Sequence, residues 1–155
     1  IKAMQFPGTV IKVNKHISYQ KRGKHLYCQL PSGRELKYPF AILKDEPYYG
    51  KPRPKLYYEG RCSFSQKWKL LDTWGGKLVE NFVQAMARDI MAHGMKTTEK
   101  HGYPTCFSVH DESAALVKLG FGSVQEYEDL LCILPQWAKG CPVAAEGWQG
   151  KRYRK

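Results

Sequence analysis

Long hydrophobic runs are missing from this chain. No apolar stretch approaches the ~18 residues that a membrane span needs, so no membrane partner is expected. The first residues, Ile1 to Pro7, contain no apolar core of the kind a secretory leader carries. They contain no initiator methionine either, and the chain is expected to be a piece of a longer protein. Paired cysteines are also missing. Cys28, Cys62, Cys106, Cys132 and Cys141 are scattered, odd in number and free of any C-x-x-C. That pattern argues against a disulfide framework or a zinc finger, and for reduced thiols in a cytoplasmic protein. His93, His101 and Cys106 can be assembled into a zinc site on paper, but their spacing fits no common ligand pattern, and surface histidines are the better reading. Internal repeats and low-complexity segments are absent. A hydrophobic content of 43% over 155 residues excludes a disordered chain and suffices for one real core.

What is abundant is positive charge, and it is segregated. The net charge is +11. Residues 1–76 hold 15 Lys/Arg against 5 Asp/Glu, whereas residues 77–150 hold 6 against 9. The last five residues, Lys151-Arg-Tyr-Arg-Lys155, are basic again. Twelve of the 20 aromatics also fall in residues 1–76. Cations interleaved with aromatics suit a nucleic-acid surface, through phosphate contacts and base stacking. The same composition suits a solubilising surface on a small strand-rich region, and charge alone does not separate the two.

Residues 1–76 read as short strands and turns. Thr9 to Val13, Ile17 to Gln20, Leu26 to Leu30 and Arg34 to Tyr38 are strand candidates, with Lys21 to Lys24 and Pro31 to Gly33 as turns. Residues 44–54 carry Pro47, Gly50, Pro52 and Pro54 and read as a loop, and Lys55 to Glu59 as a further strand. The strongest helix spans 77–93, between Gly75-Gly76 and Gly94. Leu78, Phe82 and Ala85, beside Val79, Val83, Met86 and Ile90, give it a broad apolar face. Lys77, Asn81, Gln84 and Arg88, at i, i+4, i+7 and i+11, form a polar stripe. Tyr103 to Val109 and Ser113 to Val117 read as a hairpin. Ser123 with Glu126 three residues on forms a capping-box pattern that opens a second helix, ended by Pro135 and Gly140. Pro142 to Ala145 reads as a last strand. The sum is an α+β fold, a small antiparallel sheet with helices packed on it, preceded by a basic β-rich region.

The tip of the hairpin carries the chemistry. Val109-His110-Asp111-Glu112 puts two acids side by side, an arrangement that is costly unless a cation intervenes. A divalent metal bound to phosphate is such a cation, so Asp111 and Glu112 are candidate catalytic residues and metal ligands for two-metal phosphoryl transfer. Side chains alternate along a regular strand, so Glu112 would point away from Asp111 unless a turn or bulge intervenes. The bland alternative is a polar turn with two solvated acids.

The wider constellation resembles a known family. Gln84-Ala-Met-Ala-Arg-Asp89, followed about twenty residues later by Val109-His-Asp-Glu112, is similar to the end of the palm in family A DNA polymerases, the bacteriophage members above all. Trp74 to Asp89 and Pro142 to Lys155 share that likeness, and Leu30-Pro-Ser-Gly-Arg-Glu-Leu-Lys-Tyr-Pro39 is similar to a hairpin that follows the family's nucleotide-binding helix. The resemblance is firm over 74–155, looser over 26–73, and weaker toward the N-terminus. It implies a palm-like fold, with residues 1–73 as a basic strand-rich region on the fingers side and 74–155 as the C-terminal part of the palm. It implies DNA-directed DNA polymerase activity, Mg²⁺ as the cofactor, and primer–template DNA and dNTPs as partners. Asp111 matches the second metal-binding aspartate, in motif C, and Glu112 the acid beside it. His110 matches the histidine near the primer terminus. Gln84 and Asn81 fall where polar residues reach the DNA minor groove. Lys77 and Arg88 are DNA-binding candidates by charge and stripe position.

The departures are equally specific. The family's other metal-binding aspartate, in a D-Y-S-x-I-E-like motif, has no counterpart in these 155 residues, nor has the helix that binds the nucleotide. The two-metal site is thus incomplete, and the isolated chain is expected not to extend a primer. Surface normally covered by the missing parts is expected to favour self-association. Two rivals stand beside this reading. One is a stand-alone nucleic-acid-binding module, working through the basic residues around 12–24. The other is a metal-dependent nuclease, for which the dispersed acids are too few.

Overall fold

The computed structural model describes residues 1–153, with Tyr48 defined by its backbone alone. A single turn of helix, α1 (Lys2–Gln5), leads into four short strands, β1 (Ile11–Lys12), β2 (Ser18–Arg22), β3 (His25–Gln29) and β4 (Glu35–Tyr38). They pair antiparallel in sequential order as a meander. A second meander follows, of β5 (Ile42–Tyr48), β6 (Lys51–Arg61) and β7 (Trp68–Thr73). Then come α2 (Gly75–Lys100), the two-stranded pair β8 (Thr105–Val109) and β9 (Glu112–Ala115), and α3 (Val124–Leu131). The α+β class agrees with the sequence reading. The expected small sheet is instead three separate antiparallel sheets among the described residues, because every pairing joins strands that are neighbours in sequence.

The chain divides into two compact units, Ile1–Met86 and Ala87 onward, and α2 contributes to both. In the first unit, alternation decides what is buried. On β3, Leu26 and Cys28 face inward, while His25, Tyr27 and Gln29 face outward. Leu26 and Cys28 join Met4, Ile17, Tyr38 and Leu56 in a core that Ala85 of α2 completes, with Leu78, Phe82 and Met86 packed against it. The apolar face of α2 therefore splits. Leu78, Phe82 and Ala85 are used, whereas Val79 and Val83 stand 49% and 53% exposed.

Residues 44–54, expected to form a loop, are instead most of the β5–β6 hairpin. Tyr49 and Gly50 both take positive φ, 49° and 76°, as a two-residue type I′ turn requires, and Pro47 lies directly opposite Pro52. In such a hairpin the closing pair is hydrogen-bonded. Alternation then places Pro47, Pro52 and Pro54 at positions whose backbone nitrogens point away from the partner strand. β7 reaches β6 only from Leu56 to Arg61, so no ladder bond is lost at the prolines. The strand expected over Thr9 to Val13 is only Ile11–Lys12, and β7, unforeseen, completes this second sheet.

In the second unit, α2 runs through Gly94 to Lys100, rather than stopping at 93. Gly94 is buried because α3 crosses close by: a Cβ there would meet the Leu131 carbonyl oxygen at 2.5 Å. The true stop is Gly102, at φ +89°, where Gly102 N–H donates to Glu99 O and Tyr103 N–H to Thr98 O. That is a Schellman ending, with glycine at the left-handed position. Ser123 caps α3 as expected, its Oγ accepting from Glu126 N–H at 3.1 Å. Glu126 does not complete the box. Its carboxylate accepts from the buried Tyr103 hydroxyl at 2.5 Å, and that hydroxyl in turn accepts from Ser123 N–H at 3.1 Å. α3 ends at Leu131, before Pro135, which opens a short 3-10 turn over Gln136–Ala138. Pro142 to Ala145 form no strand. The segment has no regular structure, and Gly147 N–H donates to the Glu128 carboxylate instead of to a strand partner.

Candidate catalytic hairpin

β8 and β9 pair from Thr105↔Ala115 to Val109↔Glu112, with a register shift between Thr105 and Phe107. Val109 and Glu112 therefore close a two-residue turn, and His110 and Asp111 are its two central residues. Positive φ occurs at His110 (+52°) and not at Asp111, the sign pattern of a type II′ turn. Glycine usually holds that first position. A β-carbon there costs on the order of 1 kcal/mol, and the turn leaves the His110 imidazole exposed at the hairpin tip.

The turn gives the two acids different surroundings. Asp111 is exposed at the tip. Glu112 begins β9, is half-buried, and accepts from the Tyr153 hydroxyl at 2.5 Å. This bond to a carboxylate raises the Tyr153 pKa above its usual value, with desolvation adding to it. The Tyr153 ring stands edge-on to Phe107, with centroids 4.9 Å apart. Glu112 is thus oriented by a residue of the basic tail that its charge pattern alone did not single out. A tyrosine set among Lys151, Arg152 and Arg154 was the available signal. On the far side of the hairpin, Ser113 Oγ lies 3.1 Å from the Tyr127 hydroxyl of α3 and fixes β9 to that helix.

The four polar residues of α2 do not form one solvated stripe. Lys77 pairs with Glu80 at 2.8 Å, and Gln84 Nε2 donates to the same carboxylate at 3.3 Å. Asn81 turns inward and donates to the Tyr38 hydroxyl at 3.2 Å. Burial pushes the Tyr38 pKa up to about 12, with the Asn81 bond acting against it. Gln84 and Arg88 are exposed, and the Arg88 guanidinium lies 3.6 Å from the Met91 sulfur. Lys77, Asn81 and Gln84 belong to the first unit, and Arg88, His110, Asp111 and Glu112 to the second.

Whether a divalent ion fits is decided by the donors. Mg²⁺ takes six oxygen ligands, of which a protein usually supplies one or two carboxylates and water and substrate phosphates the rest. Among the described residues, no three of His, Cys, Asp and Glu converge. The paper assembly of His93, His101 and Cys106 does not converge either. The described side chains therefore do not by themselves complete a Mg²⁺ site.

No protein-family model matches the chain, and no solved structure matches it. A curated protein does, and this chain is similar to it along most of its own length. That relative is the DNA polymerase of Bacillus phage SP02, 38% identical over 145 residues. The match takes in 94% of this chain and 22% of the phage enzyme, so the chain spans about a fifth of its relative's length. The similarity extends across both compact units and is not confined to the hairpin.

Proposed function

We propose that this chain is a palm segment of a family A DNA-directed DNA polymerase, with residues 74–155 carrying the palm elements and residues 1–73 a basic, strand-rich region on the fingers side. The observation that carries the reading is the hairpin: a solvent-exposed aspartate at the second position of a strained two-residue turn, in a chain similar along 94% of its length to a phage DNA polymerase. In the intact enzyme the primer 3′-hydroxyl attacks the α-phosphate of a dNTP and pyrophosphate leaves. Asp111 supplies one carboxylate to a Mg²⁺ site whose remaining ligands lie outside these 155 residues. Glu112, held by Tyr153, supports the tip, and His110 faces the primer end. Gln84 is the minor-groove residue, Arg88 and Lys77 are phosphate contacts, and Asn81 acts from beneath through Tyr38. These groups contribute positioning and charge, which is where the rate of phosphoryl transfer originates. The isolated chain, without a complete ligand set, does not extend a primer. The exposed Val79 and Val83 support self-association of the isolated chain, which sedimentation over a concentration series reads directly.

The test is Asp111→Asn in a full-length polymerase that contains this segment. Primer extension falls by at least about 100-fold, as for loss of other electrostatic catalytic groups, while primer–template affinity stays within about twofold. Extension at the normal rate overturns the proposal. So does template-dependent incorporation by the isolated chain.

A further inference from the structure

The hairpin leaves the basic first unit without a role, and the outer face of the β1–β4 sheet gives it one. The register places Lys12, Ser18, Gln20, Tyr27, Gln29 and Lys37 together on this face, opposite the core side chains. Ser18, Gln20, Tyr27 and Gln29 are half-buried and, with Val10 and Glu35, line a shallow open trough of about 230 Å³. Gln20 is fixed in place by a 2.8 Å bond from its Nε2 to the Gly8 carbonyl. Across the trough, the Arg22 guanidinium carbon lies 3.7 Å from the Tyr27 ring centroid, and Arg22 pairs with Glu35 at 2.5 Å. Glu35 is the only acid among residues 1–44, which hold nine lysines and arginines. The one local negative charge is thus already matched, and apart from Val10 everything else the face offers a ligand is cationic, amide, hydroxyl or aromatic.

That set selects its occupant. An apolar protein partner would find Val10, the Tyr27 ring and, beside the outward His25, the partly exposed Phe40, separated by charged and amide groups. A polyanion with planar, hydrogen-bonding bases finds phosphate partners, a stacking platform and amide edges on one surface. A duplex keeps its bases stacked inside, and the face of a sheet presents no helix or projecting ribbon to enter a groove. We propose that the outer face of β1–β4 binds a single-stranded nucleic-acid segment, with one base on the Tyr27–Arg22 stack, Gln20 and Gln29 beside it, and Lys12 and Lys37 on the phosphates. This site goes beyond the polymerase reading and uses none of the hairpin residues, so either can fail without the other.

Fluorescence anisotropy of the 155-residue chain with a labelled oligo-dT and with a blunt duplex of equal length tests it. The single strand binds more tightly than the duplex. Tyr27→Ala weakens oligo-dT binding about tenfold, the usual loss for one stacking side chain, while Tyr27→Phe keeps it. Far-UV circular dichroism identifies any variant that fails to fold, and Tyr27→Phe, which changes only the hydroxyl, keeps the comparison readable. Lys37→Glu weakens binding and flattens its salt dependence, whereas Lys139→Glu, the same charge change on an exposed loop of the second unit, does so much less. Three results overturn the proposal: a Tyr27→Ala variant that binds like the wild type, equal losses from Lys37→Glu and Lys139→Glu, or a duplex bound as tightly as the single strand.

Discussion

Replacing Gly94 with alanine sets two well-known effects against each other. Glycine in a helix interior is about 1 kcal/mol less favourable than alanine, so at an ordinary site the change stabilises. At Gly94 the added Cβ would lie 2.5 Å from the Leu131 carbonyl oxygen and 3.2 Å from its carbonyl carbon. Comfortable contact begins near about 3.5 Å, so the last turn of α3 must retreat by about 1 Å. The obstructing atoms are backbone, and no rotamer change relieves them. Overpacking of this kind costs about 1–3 kcal/mol, with a fixed obstacle at the upper end. The net effect is a destabilisation of about 2 kcal/mol, or a fall in Tm of about 4–8 °C for a chain of this size. Gly75→Ala is the control, since no atom lies within 4 Å of the Cβ it would add. Thermal melts followed at 222 nm should show Gly94→Ala clearly lowered and Gly75→Ala unchanged or slightly raised. A Gly94→Ala protein that melts above the wild type would refute the close crossing of α2 and α3.

Other consequences are open to direct measurement. Tyr103→Phe removes the hydroxyl that bridges Glu126 and Ser123 N–H, and should cost about 2 kcal/mol in urea unfolding; a loss below about 0.5 kcal/mol would mean that the bridge is not formed. Cys62, in the turn after β6, has its thiol pKa lowered to about 6, chiefly by the Ser65 hydroxyl and then by backbone N–H groups of Ser65 and Phe64, whereas burial pushes the Cys28 thiol up. Iodoacetamide should therefore label Cys62 first, with a rate that rises through pH 6, and Ser65→Ala should move that midpoint upward; a wild-type midpoint above pH 8 would exclude the hydrogen-bonded thiolate. Calorimetric titration of the isolated chain with Mn²⁺ should reveal no site tighter than about millimolar, because the ligand set is incomplete. Micromolar binding would show that the missing donors lie within the chain after all.

The features legible from sequence were those written in local chemistry. Glycines and polar turns separated strands with period-two alternation, and the β2–β3–β4 meander came out close to its final bounds. Ser123 announced its helix, because a cap needs only its own side chain and a backbone N–H three residues on. What remained hidden depended on distant partners. Gly94 looked like a helix stop, when it is the space that α3 occupies. Asn81 matched the spacing of a solvated stripe, but Tyr38, 43 residues earlier, takes its amide. At the candidate site, the tripeptide His110 to Glu112 stood out at once. That the two acids would be divided between a turn and a strand depended on one positive φ and on Tyr153, 41 residues further on.

The prolines of the β5–β6 hairpin also bear on how this protein behaves in a crowded solution. Beyond Leu56 the hairpin projects as a two-stranded ribbon with both long edges open. Such edges are templates on which a second chain can add a strand and begin an aggregate. At Pro47, Pro52 and Pro54 the outward positions carry no N–H to offer, and the exposed Lys44 and Lys51 add like-charge repulsion to any ribbon laid alongside. The residues that disguise the strand in the sequence also keep it from polymerising.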